Sequence, residues 1–300
     1  MATLYTQASA NIRKTWLFIT MIFILIIGLF WIFSYVYQSP AILWVGVLIS
    51  LALNITSYWY SDKIVLAISQ AKPVEEHDNP ELYRVVENLT ITAGLPLPKI
   101  YIIEDAAPNA FATGRDPKHA VVCVTHGLLD RLNKTELEGV IAHELSHIGN
   151  RDMLISTVVV VLAGMIAVVS DMLLRMTWWG GLRSRDDRSE AGAIMMVVAI
   201  AGAILAPIAA TLIQLAVSRR REFLADTSGA LLTRYPEGLI SALKKIAADP
   251  RPLREATNAT AHLFISSPFK GKEGTSWLAR LFMTHPPLED RIRILRDMKV

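Results

Sequence analysis

The stretch Ile141-Ala142-His143-Glu144-Leu145-Ser146-His147-Ile148 contains the pattern His-Glu-x-x-His within a run of helical periodicity. Residues four apart on a helix lie about 40° apart around the axis and about 6 Å along it, so His143 and His147 can hold one metal ion. Glu144 lies one step round the helix, where its carboxylate can accept a proton from a water molecule on that metal. The pattern therefore predicts a hydrolytic metal site on a helix around which the fold is built.

A helix start is expected immediately before this motif. Thr135 and Glu138 are spaced as in a capping box, in which each side chain bonds to the backbone N–H of the other residue. We therefore expect the motif helix to begin between Asn133 and Thr135 and to run through His147.

The composition indicates a membrane protein. Of the 300 residues, 52% are hydrophobic and only 19% are charged, which is too apolar for an ordinary soluble protein. The net charge of +3 is too small to indicate nucleic-acid binding. The single cysteine, Cys123, lies in an apolar run, so we expect a buried thiol, no internal disulfide and no metal site built from cysteines.

Two uncharged stretches near the N-terminus predict a transmembrane hairpin. Residues 1–14 form a polar head, and the runs Trp16–Tyr37 and Ala41–Tyr60 are each long enough to cross ~30 Å of hydrocarbon. The short turn between them holds neither lysine nor arginine. The open side of the hairpin is flanked by Arg13, Lys14 and Lys63. By the positive-inside rule, the N-terminus and the chain after residue 61 are expected in the cytoplasm.

Residues 62–152 are typical of a soluble α+β unit. Asn79-Pro80-Glu81 supplies a cap, a proline at the first helical position and a first-turn acid, so a helix is expected to about Ala93. Three short apolar runs predict a small sheet, and they are Ile100–Ile103, Asn109–Thr113 and Ala120–Val124. One of these strands could be an exposed edge that pairs with an extended peptide, or all three could be structural only.

Two further hydrophobic stretches, Met153–Ser170 and Ala191–Ser218, follow the motif helix. The segment around and between them carries Arg175, Arg183, Arg185 and Arg188. If both stretches span the membrane, these arginines lie on the side opposite the cytoplasm, contrary to the positive-inside rule. A spanning pair is the favoured interpretation, and a hairpin that is only partly inserted is the alternative.

A third metal ligand is expected just after the fourth hydrophobic stretch. Glu222 and Asp226 are four residues apart, so they share one helix face and repel each other unless a cation lies beside them. Arg219 could be that cation in a purely structural arrangement, and a metal ion is the functional alternative. If the two preceding stretches form an antiparallel hairpin, Glu222 returns to the same membrane surface as His147.

This placement favours the metal. Two imidazoles and one carboxylate leave the fourth position of a zinc ion open to water, which is the pattern of a catalytic site. Asp226, one turn further along, is then suited to bond the far nitrogen of a ligand histidine and to fix its tautomer.

Several motifs resemble those of the HtpX family of membrane-integrated zinc metalloproteases, which are relatives of the CAAX prenyl proteases, and they occur along the chain in the family's order. After the N-terminal hairpin, the residues that carry the resemblance are Pro108-Asn109-Ala110-Phe111-Ala112-Thr113-Gly114, His143-Glu144-Leu145-Ser146-His147 with Asn150 and Asp152, Ser218-Arg219-Arg220-Arg221-Glu222-Phe223-Leu224-Ala225-Asp226, and Thr284-His285-Pro286-Pro287. The resemblance covers most of the chain.

The resemblance implies a gluzincin-type site on the cytoplasmic face and a role in degrading misfolded or damaged membrane proteins. It implies that a substrate cleft is lined by Asn109, Ala110, Phe111 and Ala112. It also implies that His285 helps to stabilise the transition state. From the residues alone, His285 could instead cap a helix expected from Leu288 to Met298. The polar head before Trp16 is longer than the family pattern leads us to expect.

The remaining histidines have no partner at ligand spacing, and we expect His77, His119, His126 and His262 to be structural or solvated. Arg291 is expected to form a structural salt bridge, with donation to an oxyanion as the weaker alternative. The stretch Ser266–Ser276 is expected to be a mobile loop.

Together these features predict an α+β membrane protein, mainly helical, with four hydrophobic segments and a small β-sheet beside a zincin-type helix. We expect a transmembrane hairpin at 1–61, the first part of the catalytic domain at 62–152, a second membrane hairpin at 153–218 and the second part of the catalytic domain at 219–300.

The predicted activity is that of a multi-pass inner-membrane endopeptidase. One Zn2+ per chain would be held by His143, His147 and Glu222, with Glu144 as the general base. The expected partners are the lipid bilayer and membrane-protein substrates, and no oligomeric state is predicted. Two alternatives stay open: a non-proteolytic adaptor that contains zinc, and a protease for lipidated C-terminal tails.

Overall fold

The computed structural model describes residues 4–36, 38–159, 219–257, 260–269 and 286–298. The helices are α1 (Leu4–Val36), α2 (Pro40–Trp59), α3 (Ser61–Ile68), α4 (Pro80–Ala93), α5 (His126–Arg131), α6 (Lys134–Gly149), α7 (Arg219–Thr233), α8 (Pro236–Ala248) and α9 (Leu288–Arg296), and residues 153–159 are also helical. The strands are β1 (Lys72–Pro73), β2 (Lys99–Ile103), β3 (Ala110–Thr113) and β4 (Val121–Thr125). The described chain is therefore mostly helical with a small sheet, and the third and fourth hydrophobic stretches lie largely outside it.

The two N-terminal helices are long and apolar enough to cross a membrane, over Ser9–Gly28 and Pro40–Trp59. Trp16 stacks on Tyr58 with ring centroids 5.6 Å apart, so α1 and α2 pack side by side as a hairpin. Helix α1 begins at Leu4, so it includes the polar head as well as the uncharged run that follows. Polar and basic residues such as those of the head can be good helix formers, so apolarity marks a membrane span and not the limits of a helix.

The sheet is mixed, with strand order β1-β2-β4-β3. β2 and β4 run parallel, whereas β1 and β3 are antiparallel to their neighbours, so β3 is an edge strand. The three predicted strands lie within one residue of the observed ones. Both faces are covered: Val122 packs towards α4 and α6, while Phe111 and Cys123 pack towards α3 and Phe264. Burial on both faces explains why these strands are continuous apolar runs.

Helix α6 contains the His-Glu-x-x-His motif and begins at a capping box. The Glu136 N–H donates to Asn133 Oδ1 at 3.0 Å, and the Asn133 N–H donates to Glu136 Oε2 at 2.9 Å. The predicted box of Thr135 and Glu138 is wrong, since the stronger capping residue Asn133 lies two positions earlier. The Thr135 hydroxyl donates to Asn133 Oδ1 instead, at 2.9 Å.

Glu136 also ties α6 to α8. Its carboxylate accepts from Ser241 Oγ at 2.6 Å and from Lys245 Nζ at 2.7 Å. Burial alone would raise the pKa of Glu136, but the hydrogen bonds from Lys245 and Ser241 outweigh it and lower the pKa below its ordinary value. The folded state therefore favours the ionised carboxylate.

We expect Glu136→Gln to lower the free energy of unfolding by about 1–2 kcal/mol near pH 7. A depressed folded pKa gives stability that is present above the unfolded pKa of ~4.3 and is lost as the pH falls through the folded pKa. The difference in thermal unfolding between the two proteins in detergent should therefore begin to narrow as the pH falls below the unfolded pKa of ~4.3. Glu138→Gln, on the same helix, is the control, and a gap that stays constant down to pH 3 would contradict the assignment.

Candidate active site

Three side chains of metal-ligand type converge between α6 and α7. His143 Nε2 and His147 Nε2 lie 3.1 Å apart. The Glu222 carboxylate lies 3.9 Å from His143 Nε2 and 3.7 Å from His147 Nε2. The ligand atoms of these three residues all lie within 4.8 Å of one another. The structure thus brings together the three residues that the sequence predicts as ligands.

A carboxylate lies beside Nδ1 of each histidine, which is the ring nitrogen that faces away from the cluster. Asp226 Oδ1 lies 2.9 Å from His143 Nδ1, and both oxygens of Asp152 lie 3.1 Å from His147 Nδ1. A carboxylate at Nδ1 keeps the proton there and leaves the Nε2 lone pair facing the centre. The sequence predicts this position for Asp226. It assigns no role to Asp152, although Asp152 follows His147 by five residues and is among the residues that carry the family resemblance.

The donor atoms and charges of this cluster fit a divalent metal. Two imidazole nitrogens and one carboxylate oxygen are the donor set of catalytic zinc sites. Two Nε2 lone pairs facing each other at 3.1 Å repel unless positive charge lies beside them. Burial lowers the pKa of His147, but the carboxylates of Asp152 and Glu222 outweigh it and raise that pKa to about 10. The surroundings therefore favour a cation at this point.

Glu144 is placed as a base beside the cluster. It is 1% exposed, and burial raises its pKa to about 8, with a further contribution from the charge of Glu222. Its Oε1 has no hydrogen-bond partner within the described ranges. It lines a cavity of about 30 Å³ together with the three ligand residues, which is room for about one water molecule. A divalent cation nearby would lower the carboxyl pKa and favour its basic form.

Edge strand β3 runs past this cavity. The Ala112 N–H bonds to Glu144, and Ala112 lines the cavity. The other three residues predicted for a substrate cleft already have partners in the chain. The Ile265 N–H donates to the Ala110 carbonyl at 2.9 Å, Asn109 Nδ2 donates to the Ser266 carbonyl at 3.0 Å, and the Phe111 ring meets Phe264 edge-on at 5.2 Å. Among the four residues of this set, Ala112 is the one that lines the cavity, and contact of any of them with substrate stays a prediction.

Arg291, on α9, forms a buried pair with Asp226. Its Nε donates to Asp226 Oδ2 at 2.8 Å, its Nη2 to Oδ1 at 2.6 Å, and its Nη1 to the Ile265 carbonyl at 3.0 Å. Burial would raise the pKa of Asp226, but Arg291 outweighs it and lowers the pKa to about 2. Arg291 is therefore in a salt bridge, as expected, and it is the partner of Asp226 in place of the suggested Arg219.

His262 is a site residue that sequence reasoning misses. It lies on a short 3₁₀ turn, Ala261–Leu263, and lines the cavity with Ser156. Its Nε2 lies 3.3 Å from the Ser156 carbonyl. No spacing signal could have found it, since it approaches α6 from more than a hundred residues further along the chain. His285 lies outside the described residues, so its role stays a prediction.

The comparisons with known proteins assign the family. Residues 76–299 match the model described as peptidase family M48. The chain belongs to peptidase family M48. Among its M48 relatives, the "Protease HtpX homolog" of Thermoanaerobacter pseudethanolicus is 46% identical over 300 residues, covering 99% of this chain and 98% of the relative. That of Thermococcus kodakarensis is 49% identical over 286 residues, covering 94% and 96%.

These relatives confirm the resemblance to HtpX. Among solved structures, S. mikatae Ste24p matches 98% of this chain and 66% of its own, with a TM-score of 0.48 and 18% identity. Family membership identifies this M48 protein as a metallopeptidase, and the two candidate membrane helices indicate that it is membrane-associated.

In this M48 protein, Gly229 lets α7 approach α6 closely. A Cβ at Gly229 would lie 2.9 Å from the His143 nitrogen and 3.0 Å from the Ala142 carbonyl carbon, which are backbone atoms that cannot swing aside. Gly229→Ala should therefore lower the free energy of unfolding by about 1–3 kcal/mol. Because α7 carries Glu222 and Asp226, metal binding should weaken too. Thermal unfolding and metal titration measure both effects. Ser228→Ala, on the same helix, is the control, and unchanged metal affinity in Gly229→Ala would contradict this account.

Proposed function

We propose that the chain is a membrane-bound zinc endopeptidase of the gluzincin type, acting in the quality control of misfolded or damaged membrane proteins. The observation that carries the proposal is the convergence of His143, His147 and Glu222 beside the buried carboxylate of Glu144. Membership of family M48 supports peptidase activity, and the two candidate membrane helices support action at a membrane.

The chain's own residues have defined tasks in this reaction. His143, His147 and Glu222 would hold the zinc ion, which when bound supplies Lewis acidity towards a peptide carbonyl. Asp226 and Asp152 keep both imidazoles oriented with Nε2 towards the centre. Glu144 accepts a proton from the attacking water and later passes it to the leaving amine. His285 is proposed to stabilise the oxyanion.

The proposed substrate is an extended segment that adds beside edge strand β3. Strand addition pairs an extended segment with the edge of a sheet, and Ala112 lies on this edge strand beside the cavity that Glu144 also lines. The Ala110 carbonyl is already bonded to Ile265, so the added segment would pair from Ala112 onward. Phe111 then contributes packing of the strand rather than contact with substrate.

The cleft is proposed to face the cytoplasm at the membrane surface. Arg13 and Lys14 lie exposed on the first candidate membrane helix, and by the positive-inside rule their charge supports a cytoplasmic location for that end. Asn11, on the same helix, contacts the turn that ends α6. This contact supports a position of the motif close to the bilayer, and it therefore supports loops and unfolded parts of membrane proteins as substrates.

One experiment on the detergent-purified full-length protein tests this proposal. An unfolded polypeptide is offered with and without a transmembrane anchor, and zinc content is measured in parallel. We expect one zinc per chain, faster cleavage of the anchored form, and loss of cleavage with a chelator that added zinc reverses. Cleavage that resists chelation would refute a metallopeptidase, and bound zinc with no cleavage would favour the adaptor. Equal cleavage of both forms would refute the membrane preference.

A further inference from the structure

One face of α1 is buried although most of that helix is not. Of the candidate span Ser9–Gly28, 28% is buried. The buried residues are spaced three or four apart and form one stripe: Asn11, Thr15, Phe18, Ile19 and Ile22. The stripe begins with two polar residues, 5% and 1% exposed, in the head that the sequence pattern leaves unexplained. A buried polar group needs a hydrogen-bond partner, so these two residues are expected to bond to the protein.

The partner of Asn11 is the turn that ends the motif helix. Asn11 Nδ2 donates to the Asn150 carbonyl at 3.3 Å, across 139 residues of sequence. Asn150 is the C-cap of α6, where backbone carbonyls lack helical partners. Thr15 Oγ1 donates to the Asn11 carbonyl at 2.9 Å, so both buried polar side chains on this face of α1 have a hydrogen-bond partner.

This turn is conformationally demanding and carries Asp152. Arg151 has a φ of +54°, in the left-handed region that non-glycine residues rarely adopt. Directly after it, Asp152 places both carboxylate oxygens 3.1 Å from His147 Nδ1. Asn11 therefore bonds to the peptide unit that joins Asn150 to Arg151. The orientation of this unit determines the conformation of Arg151 and, through it, the position of Asp152.

We propose that Asn11 is a positioning residue of the active site, through which the first membrane helix holds Asp152 against His147. The inference rests on the proposed function, since it gives this contact a task in metal binding. In addition to anchoring the enzyme, the membrane helix then positions one metal ligand, His147, by way of Asp152.

The two ligand histidines are supported from different parts of the molecule. His143 is backed by Asp226, which Arg291 holds from α9 within the catalytic unit. His147 is backed by Asp152, whose turn is held by α1. A change in α1 should therefore act on His147 and not on His143.

The test measures zinc affinity of the full-length protein by competition with a chelator. Loss of a group directly behind a ligand weakens metal binding by roughly 10- to 100-fold, and Asn11 acts one contact further out, so Asn11→Leu should weaken it by about 3- to 10-fold. Arg13→Gln, an exposed position on the same helix, is the matched control and should bind zinc like the wild type. If Asn11→Leu does not fold, Asn11→Asp keeps the side-chain shape, removes the donor and should give at least the same loss.

A double-mutant cycle with Asp152→Ala separates positioning from a general effect on folding. If Asn11 acts through Asp152, its substitution should change zinc affinity less than about twofold in the Asp152→Ala background. An equal loss in both backgrounds, or no loss in the wild-type background, would overturn the inference while leaving the proposed function intact. A wild-type protein that binds no zinc would overturn the proposed function, and this inference with it.

Discussion

Glu144→Gln is expected to lower kcat for peptide cleavage by roughly 10²- to 10⁴-fold while leaving one zinc bound per chain. An amide cannot accept the proton of the attacking water, but it has nearly the same shape as the carboxylate. Because Glu144 is 1% exposed and burial raises its pKa to about 8, a neutral side chain is well tolerated at this position. The variant should therefore fold at least as stably as the wild type.

Zinc analysis and cleavage rates on the same preparations give the result. Glu138→Gln, six residues earlier on α6 and outside the cavity, should cleave like the wild type. Retained cleavage in Glu144→Gln would exclude Glu144 as the base. A loss of zinc and of thermal stability together with cleavage would instead assign Glu144 a structural role, as the adaptor alternative requires.

The elements that short-range signals specify were predictable. The helix that begins at Asn79-Pro80 ends at Gly94, which has the left-handed φ of +65° typical of a helix terminator. The strands β2, β3 and β4 lie within one residue of their predicted limits because contiguous apolar residues determine them. His143 and His147 share a helix face by spacing alone. The prediction of Glu222 rested on an expected hairpin at 153–218, most of which lies outside the described residues, and the structure confirms that Glu222 lies beside both histidines.

Two pairings that the sequence does not reveal depend on contacts between distant parts of the chain. Arg291 meets Asp226 over 65 residues, and His262 meets Ser156 over 106. No local periodicity records such pairs. The capping box shows a different limit: Asn133 and Thr135 are both capping residues with a glutamate three positions on, and the structure selects the pair whose glutamate also reaches Ser241 and Lys245 on α8.

Arg291→Met is expected to lower the free energy of unfolding by about 3–5 kcal/mol, because it leaves the Asp226 carboxylate buried without its cation. Asp226 is 0% exposed and Arg291 3%, so water cannot replace the two lost hydrogen bonds. Arg293→Met is the matched control on the same helix. Its pair with Asp290 is exposed, and surface pairs of this kind contribute little.

The pH dependence of this variant has a definite sign. In the wild type the pKa of Asp226 is about 2, so the stability from the pair is present above the unfolded pKa of ~3.9 and is lost as the pH falls through about 2. Without Arg291, burial raises the Asp226 pKa, and protonation at acid pH removes the buried charge. The difference in thermal unfolding between wild type and Arg291→Met should therefore begin to narrow as the pH falls through the raised pKa of Asp226 in the variant, above ~3.9, and should narrow further down to about pH 2, whereas a difference that widens would contradict the burial argument.

A second substitution separates the fold from the metal site. Asp226→Asn combined with Arg291→Met removes both buried charges, so the double variant should recover much of the stability lost in Arg291→Met. It should bind zinc more weakly than the wild type, since an amide holds the His143 Nδ1 proton more weakly than a carboxylate does. Zinc affinity equal to that of the wild type would mean that Asp226 serves only to satisfy Arg291. Recovered stability with weakened zinc binding would show that the Asp226 carboxylate, which Arg291 makes tolerable in the core, keeps His143 oriented towards the metal.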